Sequence, residues 1–292
     1  MTSLVFKAAA LVAKVLPRPV KQSLYRLGPL TKAIRSWLNT ASPQGMTPVI
    51  VAGGAGEGIR LTLDLQTEKD LWLGTYEPDL QEAVRRFGKP GMVAYDVGAN
   101  MGYLSVLLAL AVGPEGCVFA FEPLPENLER LRMHLASNNL ENRVRVIPAA
   151  VGEKTSPAHF LIHASPGMGK LEGSAGREED YEREIEVNMI ALDEFVWSLG
   201  NPPPSMLKID VEGGEGKVLQ GMRRILSDIR PLVLMEIHGG HAARAVWDIL
   251  MKSEYMVRDM GRGSGTLAGP ESLAWKAYVI GMPRERSEVE HA

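Results

Sequence analysis

Downstream of residue 91 the chain alternates short apolar runs with segments of helical period. The apolar runs predict strands near 92–96, 116–122, 143–148, 205–210, 230–237, 254–258 and 274–280. The segments between them predict helices near 102–112, 125–138, 191–199, 215–227 and 241–252. Strand and helix in alternation predict an α/β fold with a doubly wound, mostly parallel seven-stranded sheet. Upstream, Ile59-Arg60-Leu61-Thr62-Leu63-Asp64-Leu65 alternates with period two and pairs with Pro48-Val49-Ile50-Val51 across a glycine turn, a β-hairpin. The later part of 72–87 reads as a helix leading into the core. Residues 156–190 read as an insertion holding a hairpin and a mobile loop. Its charge run, Glu178-Glu179-Asp180-Tyr181-Glu182, reads as a solvated face or a lid.

The densest chemical signal is Tyr95-Asp96-Val97-Gly98-Ala99-Asn100-Met101-Gly102-Tyr103, between a predicted strand and a predicted helix. Gly98 and Gly102 allow a sharp turn and close approach of a ligand. The helix opening near Gly102 offers unpaired N–H groups and a positive dipole end. Asp96 adds an acid at the strand end. Such a site suits a ligand with both an anionic group and hydroxyl or ammonium donors, as S-adenosylmethionine has. The next strand, Val118-Phe119-Ala120-Phe121, ends in Glu122, placed to accept two ribose hydroxyls. A nicotinamide oxidoreductase is the weaker alternative, because the spacing lacks G-x-G-x-x-G and Asp96 would repel a pyrophosphate. The clusters Gly53-Gly54-Ala55-Gly56 and Gly261-Arg262-Gly263-Ser264-Gly265 lie outside any strand-to-helix junction and read as turns.

Several ordered motifs extend this reading: Leu73-Gly74-Thr75-Tyr76-Glu77-Pro78, the Asp96 loop, Phe119-Ala120-Phe121-Glu122-Pro123, Ala150-Val151-Gly152, Leu192-Asp193, Leu207-Lys208-Ile209-Asp210-Val211-Glu212-Gly213-Gly214-Glu215 and Glu236-Ile237-His238-Gly239. Together, from about Trp72 to Tyr255, they resemble the FkbM-type S-adenosylmethionine-dependent methyltransferases. The resemblance implies a class I methyltransferase-like fold and methyl transfer, usually to oxygen. It implies that Asp96, Gly98, Asn100 and Gly102 hold the methionine part of the cofactor, Glu122 the ribose and Ala150 the adenine. Tyr76 and Glu77 would close over the cofactor or acceptor, or dock the N-terminal region.

The acceptor's chemistry should lie beyond the carboxyl ends of the parallel strands. Lys208, Asp210 and Glu212 share one side of an extended strand, and Glu236-Ile237-His238 ends another. For in-line displacement at a sulfonium methyl, the protein must align the acceptor oxygen and take its proton. His238 is the first choice of general base because its ordinary pKa lies near neutrality. Asp210 and Glu212 follow. A buried Lys208–Asp210 or Lys208–Glu236 ion pair is the structural alternative. By analogy with some class I O-methyltransferases, Asp210 and Glu236 are also candidate ligands for a divalent cation such as magnesium.

Of the 292 residues, 45% are hydrophobic and 23% charged, ordinary values for a globular protein. The single cysteine, Cys117, excludes an intrachain disulfide and a cysteine-based zinc cluster, and its place in an apolar strand suggests a buried thiol. Residues 1–39 carry seven basic residues and no acid, so a net charge of −3 leaves about −10 on the rest. That acidic body argues against a nucleic acid partner. Leu4, Val5, Ala8, Leu11, Val12, Val15 and Leu16 form a helical stripe ended by Pro17 and Pro19. The run is too short and charged to span a membrane and a poor signal peptide. It reads as a peripheral anchor on an anionic membrane or as a helix packed on protein, and its acid-free character also suits a transit peptide. The expected organisation is a basic helical extension (1–45), a hairpin and helix (46–90), the catalytic domain (91–283) and a flexible tail (284–292). The expected protein is a cytoplasmic O-methyltransferase acting on a small-molecule or glycan hydroxyl, most simply that of a sugar. A scaffold that binds the cofactor without turnover is the alternative from a different class.

Overall fold

A computed structural model of the chain describes residues 44–165, 168–261 and 265–289. The basic extension expected over residues 1–45 falls almost wholly outside them. The chain divides into two compact units, one ending at Glu82 and one starting at Ala83.

In the first unit, β1 (Met46–Ile50) and β2 (Arg60–Asp64) form the expected antiparallel hairpin, with Val49 opposite Leu61. Leu61 and Leu63 are buried, whereas Arg60 is exposed and Thr62 half-buried, as the period-two pattern requires. A short helix, α1 (Lys69–Leu73), ends at Gly74, and α2 (Pro78–Phe87) runs across the unit boundary.

The second unit is built on a seven-stranded sheet. Its strands are β3 (Val93–Val97), β4 (Cys117–Phe121), β5 (Val144–Ile147), β10 (Met206–Ile209), β11 (Leu232–His238), β12 (Tyr255–Asp259) and β13 (Lys276–Pro283), in the order β12-β13-β11-β10-β3-β4-β5. All neighbours from β11 to β5 are parallel, and β13 runs antiparallel to both β11 and β12. This is the expected doubly wound class I arrangement. Every residue of β10 and β11 is buried, which is why both read as nearly continuous apolar runs. The connecting helices are α3 (Tyr103–Val112), α4 (Pro125–Ser137), α5 (Leu192–Trp197), α6 (Glu215–Gln220) and α7 (Gly240–Lys252). Tyr95, Phe119 and Phe121 pack edge-on against Phe195, with ring centroids 5.0–5.8 Å apart. Cys117 is free and only half-buried at the start of β4.

Three expectations need correction. The helix expected over 215–227 stops at Gln220, and a separate π turn covers Ile225–Ile229. The insertion is a sheet of its own, with β6 (Ala150–Val151), β7 (Ser156–His163), β8 (Gly169–Leu171) and β9 (Tyr181–Ile190) in the order β6-β9-β7-β8. Phe160, Ile162, Leu171, Val187 and Met189 give it a small core. Residues 284–289, expected in a flexible tail, form α8 (Arg284–Val289), where Glu285 pairs with Arg230. No helix of the described residues is long and apolar enough to cross a membrane.

Candidate active site

The site residues of the second unit gather at the carboxyl ends of β3, β4, β10 and β11. Parallel register sets Lys208 of β10 opposite Asp96 of β3. Both are buried, and two charges out of water are costly unless paired. Lys208 Nζ lies 3.1 Å from Asp96 Oδ1, an ion pair without hydrogen-bond alignment. It also donates to the Gly98 carbonyl at 2.6 Å and stands 3.9 Å from Asp210 Oδ2. The second Asp96 oxygen accepts the Ser105 hydroxyl at 2.6 Å. Asp96 thus faces inward, and the ion pair that dominates is Lys208–Asp96 rather than Lys208–Glu236. Gly98 has φ +77°, and a Cβ there would lie 1.9 Å from the Asp210 carbonyl oxygen. Only glycine lets β3 and β10 end so close together.

The N–H groups of the glycine loop itself are used within the protein, which leaves the expected free donors to the first turn of α3. The N–H groups of Gly98 and Ala99 donate to Phe121, that of Asn100 to Glu122, that of Met101 to Asn100 Oδ1 and that of Gly102 to Ala99. Asn100, left-handed at φ +51°, folds the loop onto itself.

Glu122 is the acceptor that the next strand end supplies. Its Oε2 takes the Asn100 N–H at 2.8 Å, and its Oε1 takes the Leu124 N–H at 3.0 Å and the Asn127 amide at 3.1 Å. Burial pushes this carboxyl up, and hydrogen bonds from Leu124, Asn127 and Asn100 oppose that rise. A carboxylate has about four lone-pair sites, so capacity for a ligand hydroxyl remains. The acceptor-only chemistry of Glu122 fits the donors of a ribose.

At the ends of β10 and β11 a second cluster surrounds His238. Its Nδ1 lies 3.0 Å from Glu215 Oε1 and its Nε2 lies 2.7 Å from Glu236 Oε1, with Glu212 Oε2 at 3.8 Å. Burial opposes charge on the ring, but hydrogen bonds to Glu215 and Glu236 outweigh it and push the pKa up to about 10. At neutral pH both ring nitrogens carry protons, so His238 has no lone pair with which to act as a base. Burial likewise works against the charge of Glu236, yet His238 and Lys276 hold that carboxyl low, at about 2.

Asp210 has the properties that His238 lacks. Its side chain is 19% exposed. Burial pushes its carboxyl up to about 7, against the pull of Lys208 and with the help of Glu236. Such a carboxyl exchanges protons near neutrality. Glu212, 22% exposed, sits in a left-handed backbone conformation at φ +51° in the turn that follows. Asp210, Glu236 and His238 place one ligand atom each within 4.8 Å of one another.

Ala150 is buried in the core of the smaller sheet beside Leu124. Tyr76 lies in the first unit, where its carbonyl takes the Gln81 side-chain amide. Glu215, which the sequence marks only as the end of a motif and to which it gives no role, accepts at Oε1 both the Gly213 N–H, at 3.0 Å, and the His238 ring. Its signal was present in the position three residues after Glu212, at the start of α6. Trp275 and Arg177 were passed over. Trp275 meets the His238 ring edge-on at 6.0 Å, and Arg177 lies over the indole at 5.8 Å. No local pattern marks either of them, because they reach the cluster from distant parts of the chain.

A family model described as the methyltransferase FkbM domain matches residues 96–261. The hexuronic acid methyltransferase AglP of Haloferax volcanii is 27% identical over 224 residues, 76% of this chain and 87% of that protein. The 31-O-demethyl-FK506 methyltransferase FkbM of Streptomyces tacrolimicus is 28% identical over 158 residues, and the match spans 60% of its length. A crystal structure of an FkbM methyltransferase from Methylobacillus flagellatus is 17% identical with a TM-score of 0.41, covering 74% of this chain and 54% of that one.

Proposed function

The chain belongs to the FkbM methyltransferase family, and we propose that its S-adenosylmethionine-dependent transfer ends on a hydroxyl oxygen of a sugar, in a glycan or a glycosylated metabolite. One relative is named for a hexuronic acid, which supports a sugar acceptor, and another for 31-O-demethyl-FK506, which supports transfer to oxygen. The observation that carries the chemistry is Asp210, a partly exposed carboxyl with a pKa near neutrality at the end of β10.

S-adenosylmethionine, when bound, supplies an activated methyl group. We assign Glu122 to the ribose hydroxyls and Gly98, Asn100 and Gly102 to the wall around the methionine part. Asp96 acts through Lys208, holding its ammonium against the Gly98 carbonyl. Ala150 belongs to the adenine wall. Asp210 takes the acceptor's hydroxyl proton and releases it to solvent at its exposed edge. His238 stays protonated and, with Glu212 and Glu215 around it, fixes the charge pattern beside that carboxylate. The test is incubation of the purified chain with S-adenosylmethionine and a panel of sugars, amines and phenols. Formation of S-adenosylhomocysteine together with an O-methyl sugar supports the reading. Methylation confined to nitrogen acceptors or phenols overturns it.

A second reading rests on the three ligand atoms within 4.8 Å. Two carboxylates and an imidazole suit magnesium or manganese. In the described arrangement Lys276 and the imidazolium proton already occupy Glu236 and His238, so a cation would have to displace both. Full activity after chelator treatment upholds Asp210 as an unaided base. Activity lost to the chelator and restored by magnesium or manganese transfers the role to a metal.

A further inference from the structure

We propose that Trp275 and Arg177 form an acceptor subsite for an acidic sugar, a pyranose bearing a carboxylate, held with its acid outward and one hydroxyl toward Asp210. The inference rests on the sugar-hydroxyl reading above and adds a class of sugar, an orientation and the residues that select them.

Trp275 is 49% exposed although it sits directly beside the buried cluster. Its carbonyl accepts the N–H of Gly239, the residue after His238, at 2.6 Å, so the indole is anchored where the strand ends meet. A large ring left half in water beside convergent polar groups has the character of a ligand wall. A pyranose has an apolar C–H face that such a ring can cover. Arg177 lies over the same indole, and no ion pair among the described residues includes it. A planar guanidinium resting on an aromatic face keeps its N–H edge available for a carboxylate.

The loop that carries Arg177 is tied down. Lys170, buried, donates to the carbonyls of Ser174, at 3.3 Å, and Arg177. The Tyr181 hydroxyl also donates to Arg177, at 3.1 Å, and the Ala175 N–H donates to Gly213 at 3.0 Å. At Gly213, with φ +96°, a Cβ would lie 2.0 Å from the Gly176 nitrogen, so the loop rests directly on the turn after Glu212. Placing a lysine in the interior to hold two carbonyls of a loop is costly, and it builds a fixed wall rather than a closing lid.

Charge sets the orientation. The inner end of the site holds Asp210 and Glu236, with Lys208 3.9 Å from Asp210. The charge of Glu212 acts on Lys170 and Tyr181, which hold the Arg177 loop. Lys276 and His238 already match Glu236, and Glu212 remains 22% exposed. A ligand carboxylate is repelled there and is drawn to Arg177 at the outer end. Glu178 follows Arg177 in sequence, and its charge acts on Lys170.

The test uses the full chain saturated with S-adenosylhomocysteine and titrated calorimetrically with methyl glucuronide and, separately, methyl glucoside. The glucuronide should bind more tightly. Arg177→Gln should weaken the glucuronide by about tenfold or more and leave the glucoside unchanged. Trp275→Leu should weaken both sugars, and thermal melting confirms that each variant is folded. Equal binding of the two sugars by the wild type, or glucuronide affinity untouched in both variants, overturns the subsite. Methyl transfer is assayed on the same samples. A glucuronide that binds through Arg177 and is never methylated upholds the subsite and defeats the sugar-methylation reading.

Discussion

Lys208 and Asp96 stand opposite each other on neighbouring parallel strands, with Nζ 3.1 Å from Oδ1 and neither side chain more than 2% exposed. The pair ties the Gly98 loop to the carboxyl end of β10. Lys208 donates to Gly98 at the head of the glycine loop and reaches toward Asp210 at the end of its own strand.

Removing one partner should therefore cost more than removing both. Lys208→Met leaves Asp96 buried without its cation and is expected to destabilise the protein by about 3–5 kcal/mol. Adding Asp96→Asn should recover much of that loss. Urea unfolding of the two variants checks this, and wild-type stability in Lys208→Met would show that the pair is dispensable.

Asp210→Asn removes the proposed base while keeping the shape of the side chain. Methyl transfer is expected to fall by about 10²- to 10⁴-fold, with binding of S-adenosylhomocysteine retained. The base works in its ionised form, so wild-type transfer should rise as pH passes through about 7. That limb should disappear from the residual activity of the variant. A limb that persists in Asp210→Asn would assign it to another group.

Glu122→Ala removes the carboxylate and frees the Asn100 and Leu124 N–H groups. Calorimetry should show S-adenosylhomocysteine binding weakened by about 10- to 100-fold, the worth of a charge-assisted hydrogen bond. Unchanged affinity would place the ribose elsewhere.

His238 makes stability depend on pH. Its folded pKa, about 10, lies above the ordinary 6.5. The stabilisation it contributes is fully present below pH 6.5 and is lost as pH rises through about 10. The urea midpoint should fall across that window in the wild type and fall less steeply in His238→Gln. Parallel curves for the two proteins would mean that the ring is not held protonated.

Much of this protein is legible in its sequence. Ile59–Leu65 alternates because one face of its hairpin is buried, and β10 and β11 read as nearly continuous apolar runs because both of their faces are covered. Asp96, Glu122, Lys208, Asp210, Glu236 and His238 all stand out in the sequence, since charged residues at the ends of apolar strands are visible in one dimension. The roles were less legible. His238 has an ordinary pKa suited to a base, and only the arrival of Glu215 and Glu236 at its two nitrogens fixes it as an imidazolium. The loop from Gly98 to Gly102 has the composition of an anion cradle, but Phe121, Glu122, Asn100 and Ala99 accept its N–H groups.

The division has a physical basis. The sequence by itself determined the order of strands and helices, the tight glycine turn and the family, because periodicity and backbone sterics act between residues close in the chain. The tertiary structure alone decided which lysine pairs with which acid, which carboxyl keeps a proton near neutrality and which exposed ring borders the site. Those properties depend on ångström distances and burial among residues as far apart as Asp96, Arg177, Lys208, His238 and Trp275. Strand register and loop packing set such distances, and neither is written in any short segment of the chain.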